Sequence, residues 1–240
     1  MLPRPVREGD RLVGGRADPP HRRGDQPGVG HPRRQQGPAA VTINGVAREV
    51  GMSGPAPYHY FAGHDELVGA VTADFFRELT EQLEAAREAY PPGDHTRRLL
   101  ATCRAMRRWA VTHRAEFGWV FAGPVTSRRR EPAGRDFEQV FLDEVVDLWR
   151  PRPFPVPDEL DPSIREQLPL YAAAHGTPMP VEAIHVFLSC WIRLYGMLCM
   201  EVLHQLDFAY TDLEPVFEDL LRELAPRLGI GYDAAAGREP

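Results

Sequence analysis

The chain has 240 residues, enough for a small and a larger domain, each with its own apolar core. Its net charge of −6 excludes a protein that holds nucleic acid by overall basicity, so any DNA contact must be a local patch. Cys103, Cys190 and Cys199 sit singly in apolar helical surroundings, which fits reduced core thiols better than a disulfide framework or a zinc site. No apolar run is read as membrane-spanning and no signal segment is seen, so a soluble, cytoplasmic protein is expected. All 28 basic residues are arginine and Asn44 is the sole asparagine, which points to a GC-rich gene.

Residues 1–36 are rich in Arg, Gly, Pro, Asp and Gln and contain no aromatic residue. Such a stretch cannot bury enough apolar surface to fold, and disorder is expected. Its arginines outnumber its acids, so a basic arm along DNA phosphates and a plain solvated linker are both open.

From residue 37 the pattern changes. Thr42 caps a helix whose Ile43, Val46, Ala47 and Val50 fall at i, i+3, i+4, i+7. Gly51 ends it, and Ser53 offers the next N-cap. Two short helices joined through a glycine turn form the unit that lays its second helix in the major groove; an αα-hairpin without nucleic acid is the bland alternative.

The run AREVGMS, then YHYF and HDELV before a long helix, resembles the DNA-binding domain of TetR-type transcriptional regulators. The resemblance implies that Tyr58 and Phe61 hold the recognition helix to its domain. It further implies that Thr42, Ser53, Gly54, Ala56, His59, Tyr60 and His64 face phosphates and base edges. His64 stands where the family usually has a phosphate-binding lysine, and Pro57 where it has an apolar residue such as leucine. Proline there removes an early intrahelical bond, so the recognition helix should start late or be distorted. The family also places an amphipathic helix before the turn at Gly37 and Pro38. Residues 22–36, broken by Gly24, Pro27, Gly28, Gly30 and Pro32, cannot be that helix, so it is missing or out of frame in this chain.

A long helix is expected from His64 to about Ala89, with Leu67, Ala70, Val71, Asp74, Phe75, Leu79, Leu83 and Ala86 as its bridging stripe. Residues 37–89 then make the DNA-binding domain with its connecting helix. Tyr90–Asp94, YPPGD, is a hinge into a helical effector-binding and dimerisation domain over 90–230, and 231–240 reads as a disordered tail. Within the second domain, helices are expected at 96–112 (Leu99, Leu100, Cys103, Met106, Trp109 and Ala110 inward), through 116–121, and at 137–149. Residues 151–157 cannot be helical, and a helix within 158–175 should break near Pro169. The last helices are expected at 181–206, apolar over much of its circumference, and at 211–228.

The fold class is therefore all-α. The segments AEFGWVFAGPV and WIRLYGMLCMEVLHQL are similar to the C-terminal domain of many actinobacterial TetR-type regulators. That resemblance implies a homodimer through the helices at 181–206 and 211–228, a palindromic double-stranded DNA operator and no membrane partner. Trp109, Phe117, Trp119, Phe121, Phe141, Tyr171, Phe187 and Trp191 are the candidate lining of an apolar pocket for a small hydrophobic or aromatic effector, with Phe137 beside them; His175, His185 and Arg193 are candidate polar anchors. The reading is a ligand-responsive transcriptional repressor with no cofactor and no catalysis. Two others stand beside it. One is a helical ligand-binding dimer that has lost specific DNA binding. The other is a metal-containing helical-bundle enzyme, because Glu182-x-x-His185 and Glu201-x-x-His204 match a di-iron element. Both motifs lie on one predicted helix, roughly 28 Å apart at 1.5 Å per residue, so they cannot share a metal within one chain.

Overall fold

The computed structural model describes residues 64–121 and 132–237, and among them the regular structure is helical, without strands. Seven α-helices follow in order: α1 His64–Glu88, α2 His95–Thr112, α3 Arg114–Val120, α4 Pro132–Trp149, α5 Pro162–His175, α6 Val181–Val202 and α7 Glu214–Leu224, the last running into a 3₁₀ turn Ala225–Leu228. The helix-turn-helix positions Thr42, Ser53, Gly54, Ala56, Pro57, His59 and Tyr60 lie outside the described residues, as does the segment 1–36.

Helix α2 is the axis of the fold. It starts where Asp94 accepts a hydrogen bond from the Arg97 N–H at 3.1 Å, an N-cap that satisfies one of the orphan donors of the first turn. The six inward residues expected from the sequence are all buried, and Ala101, Thr102, Arg104 and Ala105 are buried with them. A helix covered on nearly every side must be packed by several neighbours, and α1, α3, α4 and α6 all lie against it.

Helix α1 buries Val68, Thr72, Phe76, Leu79 and Leu83, a line that keeps to the i+3/i+4 step. This corrects the expected stripe. Asp74 is exposed and pairs with Arg77, while Phe75 is half-buried, edge-on to Trp119 at 5.9 Å. Phe76, Leu79 and Leu83 belong to the same core as α2 to α6, so the later turns of α1 are part of the larger domain.

Three further boundaries differ from expectation. Helix α4 begins at Pro132, because proline fits the first helical turn, where its missing N–H costs no bond. Helix α5 continues through Pro169. The carbonyl that loses its donor there belongs to exposed Arg165, where water can replace the bond. The helix ends at Gly176, whose φ of 60° suits the left-handed cap. Helix α6 ends at Val202 rather than 206; His204 takes a φ of 58°, which breaks the helical run.

Residues 231–237 are not the loose tail their composition suggested. They cross α2 as a strap: the Arg97 Nε donates to Asp233 at 2.7 Å, Arg108 to the Gly237 carbonyl at 2.7 Å, and the Gly237 N–H to the Tyr90 hydroxyl at 2.7 Å. Gly237 sits at φ 71° with Ala101 beneath it, and a Cβ there would lie 2.7 Å from the Ala101 Cα. Only glycine fits that backbone so closely.

Helix α6 also corrects the membrane expectation. Its 22 residues are long and apolar enough to cross a bilayer by length and composition. In this fold it packs on α2, α3, α5 and α7, and its Glu201 is buried against Arg107.

Candidate functional site

Three cavities among the described residues meet at one side chain, Trp191 of α6. The largest, of about 270 Å³, is walled by Phe76 of α1, Phe121, Phe137 and Glu138 of α4, and Trp191 and Tyr195 of α6, with Gly134 and Ile192 completing it. A second, of about 60 Å³, shares Glu138 and Trp191 and adds Tyr171, Phe187 and Leu188. The third, of about 50 Å³, is wholly apolar. It runs from Trp191 past Phe141, Phe187, Cys103 and Cys190 to the α7 side chains Leu221 and Leu224.

Most of the aromatic side chains come together because two helices contribute them at helical spacing. Phe137 and Phe141 are four apart on α4, and Phe187, Trp191 and Tyr195 are four apart on α6. Trp191 meets Phe137 at 5.8 Å and Phe141 at 5.3 Å, and stacks on Tyr195 at 6.1 Å with 22° between the planes. The Tyr195 hydroxyl donates to the Phe121 carbonyl at 2.6 Å, which fixes its ring edge in the wall.

Of the eight aromatic residues expected to line a pocket, five do so: Phe121, Phe141, Tyr171, Phe187 and Trp191. The other three do not line these cavities. Trp109 is 1% exposed, stacks on His113 and donates its indole N–H to Glu78 at 3.1 Å. Phe117 is fully buried between α3 and the core. Trp119 donates to the Thr72 hydroxyl at 2.8 Å, tying α3 to α1.

The polar anchors differ too. Arg193 pairs with Glu223 at 2.8 Å on the surface and does not line the cavities. The His175 ring lies tilted against Tyr171 at 4.3 Å, and its Nε2 lies 3.7 Å from Glu138. Burial, with the Glu138 charge adding to it, pushes the Tyr171 hydroxyl up to about 12. Glu138 is the site residue that sequence reasoning missed, because one glutamate after a buried phenylalanine looks like any solvated helix position.

A separate polar cluster lies behind α2. The buried Arg104 guanidinium makes two bonds to Glu218 of α7, at 2.8 and 2.7 Å, and a third to the Ala236 carbonyl of the strap. Tyr232 donates to the same carboxylate at 2.6 Å. Arg107 forks onto Glu201 at 3.0 and 2.7 Å, and Arg98 reaches Glu144 at 2.8 Å. The glutamates of the two Glu-x-x-His motifs are thereby committed to ion pairs, Glu182 with Arg165 at 2.6 Å and Glu201 with Arg107.

Of the DNA-reading positions, only His64 falls on a described element, as the first residue of α1; the others lie outside the described residues. A model described as the Tetracyclin repressor-like C-terminal domain matches residues 99–224, more than half of the chain. A second, described as bacterial regulatory proteins of the tetR family, matches residues 34–71. The chain belongs to the tetR family.

Among proteins it resembles, the HTH-type transcriptional regulator Rv1816 of Mycobacterium tuberculosis is 30% identical over 103 residues, 42% of this chain and 44% of that protein. The HTH-type transcriptional regulator BetI of Brucella melitensis biotype 1 is 35% identical over 68 residues, 28% of this chain and 34% of BetI. The chain thus spans less than half the length of these relatives. The crystal structure of regulatory protein SCO4313 superposes with a TM-score of 0.59 at 26% identity, covering 78% of this chain and 85% of that one. That likeness agrees with the all-helical architecture described above.

Proposed function

We propose that this protein is a homodimeric, ligand-responsive transcriptional repressor acting on a palindromic operator near its own gene in the cytoplasm. The observation that carries the reading is the position of Phe76. It lies on α1, the helix that continues from the matched helix-turn-helix segment, and it is also a wall of the 270 Å³ cavity. A ligand filling that cavity touches α1 directly, so its binding energy can bias how α1 sits on α2 and α4. Control requires only that the ligand prefer the arrangement whose recognition helices mismatch the operator. The hinge Tyr90–Asp94 is a second lever, since Arg98 holds the carbonyls of Arg87 and Tyr90 at 3.3 and 3.1 Å.

Dimerisation through α6 and α7 is supported by Ile192, Met200 and Leu203, which are large apolar side chains left exposed at 67, 44 and 46% in the single chain. Residues 37–89 act as the reading domain and 90–230 as the effector domain. Pro57, in the expected recognition helix, supports a second reading, a ligand-binding dimer without specific DNA recognition. A footprint of the full-length protein on the DNA flanking its gene separates the two. A protected palindrome is expected, and salt-sensitive binding without sequence preference would overturn the repressor reading.

A further inference from the structure

Among the described residues, the walls of the cavities at Trp191 offer a ligand no free charge. Glu138 is their one charged side chain; it lies 3.7 Å from His175 and is engaged in a further interaction. A charged ligand of either sign would give up its hydration there without an unpaired counter-charge, and that loss is costly. Two neutral donors are placed differently. Trp109 and Trp119 give their indole N–H groups to Glu78 and Thr72, but among the described residues the Trp191 N–H meets no acceptor. The Tyr171 hydroxyl likewise has no hydrogen-bond partner there, although its ring lies against His175. The side-chain polar atoms sealed off without a partner are the Thr80 hydroxyl and the Arg87 Nε, so the donors of Trp191 and Tyr171 both reach accessible space. Both residues line the 60 Å³ cavity, and Trp191 lines the 270 Å³ cavity as well.

We propose that this site takes an uncharged, flat molecule carrying a hydrogen-bond acceptor such as a carbonyl. The acceptor is met by the N–H of Trp191 and the O–H of Tyr171, and the ring body lies in the larger cavity against Phe137 and Tyr195. The two cavities adjoin along Trp191 and Glu138, and about 270 Å³ suits a body of one or two rings. A few neutral polar groups in apolar walls fix orientation, while burial of the ring body supplies the affinity. Ile192, at the edge of the larger cavity, lies on the α6 face given to the second copy. A copy seated there encloses the molecule further, which adds to the apolar surface it buries. The role of such a molecule as effector rests on the repressor reading above; the binding site itself does not.

The test dialyses the full-length protein to equilibrium against four probes of one bicyclic shape: 1-indanone, which carries a carbonyl, indane, which does not, protonated 1-aminoindane, and indane-1-carboxylate. Dialysis to equilibrium reads affinity however slowly an enclosed cavity fills. Indanone should bind about tenfold or more tightly than either charged probe. Trp191→Phe and Tyr171→Phe each keep a ring and remove a donor, and each should cut the ratio of indanone to indane affinity by about three- to tenfold. On the wild-type fold, the indole proton resonance that Trp191→Phe lacks should move downfield with indanone, as a bonded N–H does, and not with indane. A charged probe that binds as tightly as indanone, absence of indanone binding, a ratio that neither variant lowers, or an indole resonance that indanone leaves in place would each overturn the site. Repeating the footprint with saturating indanone isolates the other question. Donor-dependent binding that leaves operator affinity unchanged supports this site and counts against effector control alone.

Discussion

The strap side of α2 and the cavities at Trp191 treat polarity in opposite ways. Behind α2, toward α7 and the strap, every named charge meets a counter-charge: Arg104 and Glu218 share two bonds, and Tyr232 and the Ala236 carbonyl complete the set. On the side of α4 and α6, a single half-exposed glutamate borders cavities otherwise walled by rings and aliphatic chains. The first arrangement is committed, because low dielectric makes an unpaired buried charge costly. The second borders open volume, about 270 Å³ in the largest of the cavities. The difference separates parts of the domain that hold shape from a part able to accept a ligand.

The largest effect should come from breaking the committed side. Glu218→Ala strands the Arg104 guanidinium, which burial tends to depress and Glu218 holds raised, and should cost about 3–5 kcal/mol in urea unfolding. The double variant Arg104→Met with Glu218→Leu should recover most of that loss, since removing both charges removes the desolvation cost as well. If the double variant were as unstable as the single one, packing of the strap rather than charge pairing would hold this side together.

Next in size is Gly237→Ala. Its Cβ would meet the Ala101 backbone at 2.7 Å from a left-handed φ of 71°, so the strap must lift, at about 1–3 kcal/mol. Hydrogen exchange should then rise at residues 232–237 and at the turn around Tyr90, whose hydroxyl loses the Gly237 N–H.

Alkaline titration sharpens the contrast from the apolar side. Burial pushes the Cys103 thiol from 9.0 up to about 12 and the Cys190 thiol up to about 11, so the folded chain keeps protons that the unfolded chain releases. Between those values the native state binds more protons, and stability therefore falls as pH rises. It should be complete below about pH 9 and then decline by about 1.4 kcal/mol per pH unit for each such group. Cys103→Ala should flatten the decline measured by urea midpoints on the alkaline side.

The smallest effect should be Glu138→Gln, within about 0.5 kcal/mol of wild type in the same unfolding experiment, because the side chain is 40% exposed. Together with Glu218→Ala it makes a matched pair: two glutamates, one buried and one half-exposed.

Much of the frame was legible in the sequence. Periodicity placed α2 and its six inward residues, and the prolines of 151–157 marked a non-helical stretch. Five of the eight proposed lining aromatics reach a cavity, since rings four residues apart on α6 share a face. What could not be read was pairing at long range. Arg104 finds Glu218 114 residues away, and no local pattern distinguishes it from exposed Arg108 on the same helix. The partners of Trp109 and Trp119 were hidden for a related reason: each indole N–H is satisfied by a residue of α1, 31 and 47 residues earlier. The strap was hidden by composition, since Asp233 and Gly237 look like solvated coil until α2 lies beneath them.

The strap also bears on how the domain comes together in time. Its bonds to α2 close loops of 129, 132 and 136 residues, far longer than the three- or four-residue steps that build each helix. Contacts of such separation cost loop-closure entropy before they return any stability, so their formation comes late. Helices α2 to α6 can therefore assemble around the aromatic cavities first, with the Arg104 guanidinium still in water. Its burial under Glu218 and the Ala236 carbonyl is then the closing step, after which the turn at Tyr90 is tied down.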